Sequence, residues 1–285
     1  MCWSHRIGLF AVLVFSVSAL RAEETPLAEI SDYAPAMRRV ASTFQGQAGL
    51  VLHVGDALTL TNAYGHWARF GRGHSPEDDA ALKWMHTDAN DFSDGWWIAR
   101  TAHAEGGNYT ATKQVRADQL LRGIYRSYPK LSDMLTKLQP QIVVLLVGRD
   151  DLTLGRGYEV YRQDMETAVD TILAHNAICI LTTLPPFAGN LELGQAYNRG
   201  LREIAVERNI PLIDLEREII ARRANDWQGA LVHRNDYQLS AIQGEVTPAS
   251  APTSENLRES GYLLRGWLTV KKIAEVKRTV LDVTQ

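Results

Sequence analysis

Four stretches of this chain are apolar almost without interruption: "GLVLHV" at 49–54, "QIVVLLVG" at 141–148, "AICILTTL" at 177–184 and "IPLIDL" at 210–215. A strand with one face in water alternates apolar and polar residues, whereas a continuous run of this length fits a strand covered on both faces, as in a parallel sheet. Helical patterns lie between the runs. Tyr161, Met165, Ala168, Val169, Ile172 and Leu173 share one helix face, as do Tyr197, Leu201, Ile204 and Ala205, and near the C-terminus Leu263, Trp267, Val270 and Ala274. Strands alternating with amphipathic helices predict right-handed βαβ units. The expected fold class is α/β, with one doubly wound, flavodoxin-like parallel sheet between helices.

At 285 residues, 45% hydrophobic and 22% charged, the chain can bury one sizeable core, and no second domain is required. Residues 1–22 read separately, as a signal peptide: His5 and Arg6 precede an apolar run from Ile7 to Ala19, with small-residue cleavage options after Ala19 or Ala22. An uncleaved anchor is the alternative, but the run is shorter than the roughly 20 residues of a membrane span. The expected organisation is a signal peptide at 1–22, an N-terminal segment at 23–45 and one domain at 46–280, in a secreted or periplasmic protein with no membrane attachment after cleavage. Cleavage removes two of the 30 basic residues, Arg6 and Arg21, and none of the 33 acidic ones, for a net charge of −5. No clustered Lys and Arg mark a nucleic-acid footprint. Cys2 leaves with the signal, and Cys179, alone in an apolar run, reads as a buried, inert thiol.

The least regular part is expected from about Tyr64 to Gln114, where "FGRGHSPEDD", "DANDFSDG" and "AEGGN" are turn-rich. A structureless loop of that length is unusual, so an extra strand or hairpin is expected within it. Trp96, Trp97 and Tyr109 could form a stacking platform for sugars, with core packing as the alternative. The segment "QGEVTPASAPTS" at 243–254 reads as a surface loop.

Ligands of an open parallel sheet gather beyond the carboxyl ends of its strands, which directs attention to Gly55-Asp56-Ala57, Gly148-Arg149-Asp150-Asp151 and Pro185-Pro186-Phe187. Asp56, Asp150 and Asp151 are expected to line a pocket there. Clustered carboxylates, with His53 nearby, could hold a hard cation or act as an acid/base pair; the alternative is that Asp56 caps a turn and Arg149 neutralises its neighbours.

"VLHVGDALT" at 51–59 resembles the first block of the SGNH/GDSL hydrolases, in which a Gly-Asp-Ser opens the first strand-to-helix turn. "VVLLVGRDD" resembles the third block, "YNRGLREIAVERNIPLIDLEREI" is similar to the helix-strand unit before the last block, and "ENLRESGYLLRGWLTVKKIAEVKR" to the closing helix of bacterial members. The resemblance spans about residues 46–280 and implies an ester-hydrolase fold without cofactor or metal. In such enzymes a serine attacks the ester carbonyl, a histidine takes its proton, an aspartate three residues earlier orients the histidine, and a glycine N–H and an asparagine stabilise the oxyanion. Carried over, the serine position is Ala57, the asparagine Asp150, the histidine Gln238 and its aspartate Asn235, with Thr112 to Gln114 in place of the glycine.

Each change removes a function. A methyl group cannot attack, a glutamine amide is no base near neutral pH, and an ionised carboxylate repels a developing oxyanion. Loss of one oxyanion donor alone typically costs ~10² to 10³ in rate. His233 and Asp236 are fallback candidates in a shifted alignment, although residue 230, three before His233, is alanine. The resemblance therefore implies a non-catalytic family member that binds a carbohydrate or an acylated small molecule. The alternatives are an active hydrolase with a rearranged site, acting on acylated carbohydrate or a simple ester, and a cell-surface binding or scaffold module.

Overall fold

The computed structural model describes residues 32–60, 63–85, 110–124, 127–223, 246–247 and 249–283. These lie in one compact unit, Ser31–Gln285. The signal-peptide reading of residues 1–22, the aromatic residues Trp96, Trp97 and Tyr109, and the site candidates His233, Asn235, Asp236 and Gln238 fall outside the described residues.

The four apolar runs form four parallel strands in the order β1 (Gln47–Gly55), β2 (Pro140–Leu146), β3 (Ile178–Thr182) and β4 (Leu212–Ile213). The register places Val51 beside Ile142 and Ile142 beside Ile178. β3 is buried at every position, as its uninterrupted apolar sequence requires. β4 is shorter than the run at 210–215 because Asp214 leaves the ladder to cap the next helix, its carboxylate accepting the Arg217 N–H. Among the described residues of the segment expected to hold an extra strand there is one bridge: Gly55 pairs in parallel with Ala111 on the open side of β1, its N–H donating to Thr110 O at 3.1 Å and its carbonyl accepting from Thr112 N at 3.2 Å. After β1 the chain thus adds to one edge of that strand, and then returns as β2 to the other. The carboxyl end of β1 is the switch point.

Among the described residues the α-helices are, in chain order, α1 (Ala34–Ser42), α2 (Ala57–Leu60), α3 (His66–Phe70), α4 (Pro76–Trp84), α5 (Ala117–Arg122), α6 (Leu131–Leu138), α7 (Arg149–Thr153), α8 (Tyr158–Ala174), α9 (Leu191–Glu207), α10 (Leu215–Arg222), α11 (Ser254–Glu259) and α12 (Gly261–Val276). α8 buries Tyr161, Met165, Ala168, Val169 and Ile172, and α9 buries Tyr197, Leu201, Ile204 and Ala205. Their facing tyrosines, Tyr161 and Tyr197, stack at 3.7 Å between ring centres. Just beyond each helix an asparagine, Asn176 or Asn209, turns left-handed and lets the chain drop into the next strand.

Between Tyr64 and Trp84 the chain forms α3 and α4 on either side of an irregular stretch at 71–75, so the turn-rich reading of "FGRGHSPEDD" holds for its first half and is corrected for "PEDD", which opens α4. Ser75 caps α4 by accepting from Asp78 N, Asp78 returns the bond by accepting from Ser75 N at 2.8 Å, and Pro76 occupies the first turn. Lys271 of α12 reaches back to the same Asp78 carboxylate at 2.8 Å. The C-terminal helical segment is likewise two helices. Ser260 closes α11 in extended backbone and caps α12 through its hydroxyl and Leu263 N. Cys179 is buried in β3, where desolvation pushes its thiol far above the ordinary range. No described helix is long and apolar enough to cross a membrane.

Candidate functional site at the switch point

Gly55 ends β1 against the neighbouring strand so closely that a Cβ there would lie 1.9 Å from Leu146 O. This close approach brings Asp56, fully buried, under the start of β2's following turn. Its Oδ1 accepts the Leu58 N–H at 3.0 Å, and its Oδ2 accepts Gly148 N at 3.2 Å and Arg149 N at 3.1 Å. One carboxylate therefore caps α2 and ties the turn after β1 to the turn after β2. Burial raises its pKa to about 6, against the pull of the Leu58 and Arg149 amides. Ala57 follows as the first residue of α2, partly exposed at the switch point.

The turn after β2 depends on Gly148, with φ 139°; a Cβ would lie 2.8 Å from Tyr161 Oη and 2.9 Å from Leu184 Cδ1. The two aspartates that follow have different surroundings. Asp151 is buried and accepts the Ala117 N–H at 3.0 Å on one oxygen and Arg156 on the other, and Arg156 also reaches Asp164 at 2.8 Å. Asp150 is half-buried, and its Oδ2 is enclosed without a hydrogen-bond partner. Burial raises its pKa, with Arg149 and Arg116 pulling the other way.

The three carboxylates Asp56, Asp150 and Asp151 thus turn into separate surroundings. Among the described residues no group of three or more His, Cys, Asp or Glu is placed to hold a metal ion. His53, on β1, is buried 5.5 Å from the Tyr64 ring, and burial together with the Arg265 charge lowers its pKa to about 3, so it is neutral. At the glycine-equivalent segment, Gln114 takes the left-handed φ of 59° that glycine adopts most easily, while the Thr112 N–H is spent on Gly55 O.

Arg265 of α12 was not singled out by sequence. Its buried guanidinium donates to Leu58 O at 2.6 Å and Thr59 Oγ1 at 3.0 Å and lies 3.9 Å from the Tyr64 ring centre, so it supports α2 from beneath. The available signal was a cation inside the apolar helix "YLLRGWL".

A shallow, partly open cleft lies beside this platform, lined by Leu58, Arg149, Leu152, Leu184, Pro185 and Phe187. Asp56, Asp150 and Asp151 do not line this cleft. Its third wall is fixed by Asn198 of α9, which accepts Leu184 N at 2.8 Å and donates to Leu184 O at 3.0 Å.

Residues 63–237 match the model of the GDSL-like lipase/acylhydrolase family. That span begins after Ala57 and ends before Gln238. Solved structures similar to this chain include a carbohydrate esterase of family 3 from Talaromyces cellulolyticus (12% identity, TM-score 0.50, covering 82% of this chain and 99% of that one). Others are the esterase EstA from Pseudoalteromonas sp. (14%, 0.46, 81% and 99%) and a catalytic mutant of the acetylxylan esterase Axe2 from Geobacillus stearothermophilus (14%, 0.45, 81% and 96%). At these identities the likeness is one of fold. No curated protein sequence matches the chain.

Proposed function

The chain belongs to the GDSL-like lipase/acylhydrolase family, and from that premise we propose that it is a member that keeps the fold and a ligand cleft but does not hydrolyse esters. One observation carries this reading: at the switch point, where the family resemblance puts the nucleophile, the side chain is the methyl of Ala57, set directly after a buried aspartate bonded to three backbone N–H groups. The Asp150 carboxylate, in place of a neutral oxyanion donor, supports the same reading. The apolar lining of the cleft favours an acylated small molecule over a bare sugar as the ligand. We place the mature protein outside the cytoplasm, released by cleavage after Ala19 or Ala22.

The test is ester turnover by purified protein on p-nitrophenyl acetate and butyrate. The expected rate is that of buffer, for the wild type and for Ala57→Ser alike, because the serine would still lack a base at Gln238. Turnover that co-purifies with the chain and disappears in His233→Ala or Asp236→Ala would replace this reading with that of an active hydrolase with a rearranged site.

A further inference from the structure

We propose that α2 is a proton-operated latch: Asp56 takes up a proton on Oδ1, lets go of the Leu58 N–H and frees the start of α2 at the switch point. A helix of one turn has little bonding of its own, and two buried charged side chains supply much of what holds this one. Leu58 is gripped at both of its backbone groups. Asp56 Oδ1 accepts its N–H at 3.0 Å, and the Arg265 guanidinium donates to its carbonyl at 2.6 Å and to the Thr59 hydroxyl at 3.0 Å.

The setting of Asp56 suits the ionised carboxylate and not the acid. Each of its side-chain hydrogen bonds among the described residues is accepted from a backbone N–H. A protonated carboxyl carries a hydrogen on one oxygen, which then meets an N–H donor to donor. Oδ2 holds two such donors, Gly148 N at 3.2 Å and Arg149 N at 3.1 Å, while Oδ1 holds Leu58 N alone. A proton from solvent therefore settles on Oδ1, where one bond is lost rather than two. The turn after β2 stays tied to Asp56, Arg265 keeps its hold on Leu58 O, and α2 pivots about that carbonyl. Leu58 is a wall of the shallow cleft and Ala57 beside it is partly exposed, so the movement falls on the part of the switch point that faces solvent.

The groups facing Asp56 leave it as the one to titrate in mild acid. Burial raises its pKa to about 6, Asp150 of α7 favours the protonated form, and Arg265 of α12 favours the ionised one. Tyr128, ahead of α6, and Tyr161 of α8 also face it, and burial pushes both phenols above their ordinary range, so they stay neutral. Tyr64, packed on Arg265, is raised in the same way, and His53 of β1, with a pKa lowered to about 3, is uncharged. Burial lowers the pKa of Arg265, but a guanidinium remains protonated throughout the neutral range. Asp150 is the one competitor, because burial raises its pKa as well.

Amide hydrogen exchange of the full wild-type chain, followed residue by residue by NMR from about pH 7.5 to 5 and corrected for intrinsic exchange, tests this. Protection of the Leu58 N–H is expected to fall about 10-fold on acidification, as loss of one hydrogen bond implies, with a midpoint near the Asp56 pKa of about 6. The Gly148 and Arg149 amides should keep their protection over the same range, which separates release of α2 from a general loosening of the fold. Asp56→Asn should abolish the pH dependence at Leu58, and Asp150→Asn should preserve it. Constant protection of Leu58, or an equal loss at Gly148 and Arg149, would overturn the proposal on the wild-type protein alone, whatever the variants do. Persistence of the transition in Asp56→Asn, or its disappearance in Asp150→Asn, would overturn it by assigning the proton to another group.

Discussion

Asp56 and Asp150 each follow a neighbouring parallel strand of the same sheet, and burial raises the pKa of both. Asp56 is fully enclosed, and its two oxygens accept three backbone N–H groups from two turns. Asp150 is only half-buried, yet one of its oxygens is enclosed with no partner. A buried polar atom without a hydrogen bond costs about 1–3 kcal/mol, and a satisfied one returns most of its desolvation. Asp56 therefore belongs to the architecture of the switch point, with a role that survives whether or not residue 57 can attack an ester. Asp150 contributes no comparable bond to the fold, and its influence is electrostatic, on Arg149 and on whatever enters the cleft.

The sharpest way to break this contrast is Asp56→Ala. It strands the amides of Leu58, Gly148 and Arg149, at about 1–3 kcal/mol each, while relieving the cost of one buried charge. The expected net loss is about 3 kcal/mol or more, read as a lowered midpoint of urea unfolding. A loss under about 1 kcal/mol would mean that the carboxylate is not what joins the two turns.

Acidity gives a second, somewhat smaller effect. A pKa near 6 lies above the ordinary 3.8, so folded Asp56 retains a proton that the unfolded chain releases between about pH 4 and 6. Its contribution to stability is fully present below pH 4, declines as pH rises to 6, and is flat above that, with a span of at most about 3 kcal/mol. Asp118 and Asp214, held below the usual carboxylate range by arginines, act in the opposite sense, losing their contribution as pH falls below about 4. The stability advantage of the wild type over Asp56→Asn should accordingly grow as pH falls from 7 to 4.5. An advantage independent of pH would place the titration of Asp56 outside this window.

The parts of this arrangement differ in how far the sequence discloses them. β1 to β4 were legible because strands covered on both faces require unbroken apolar runs, and the faces of α8 and α9 because their buried residues recur at helical spacing. The start of α4 was disguised: Ser75, Pro76 and Asp78 suit a turn, but at these spacings they also form a capping box. Arg265 was hidden for a different reason. Its acceptor, Leu58 O, is 207 residues away, and no local pattern records so distant a pairing. The Arg149 and Phe187 pair likewise depends on the order of β2 and β3 in the sheet rather than on either segment alone. Asp150 and Asp151 are adjacent letters of one type, yet a helix turns successive side chains about 100° apart, which gave Asp151 to Ala117 and Arg156 and left Asp150 Oδ2 alone.

The mildest substitution probes the other side of the comparison. Asp150→Asn keeps the shape and removes a charge that burial disfavours. Stability should stay within about 1 kcal/mol of the wild type, with any change upward, in contrast to the loss at Asp56. Urea unfolding of the two variants side by side reads the contrast. If Asp150→Asn destabilised the fold as strongly as Asp56→Ala, both turns would be structural and the distinction between them would be lost.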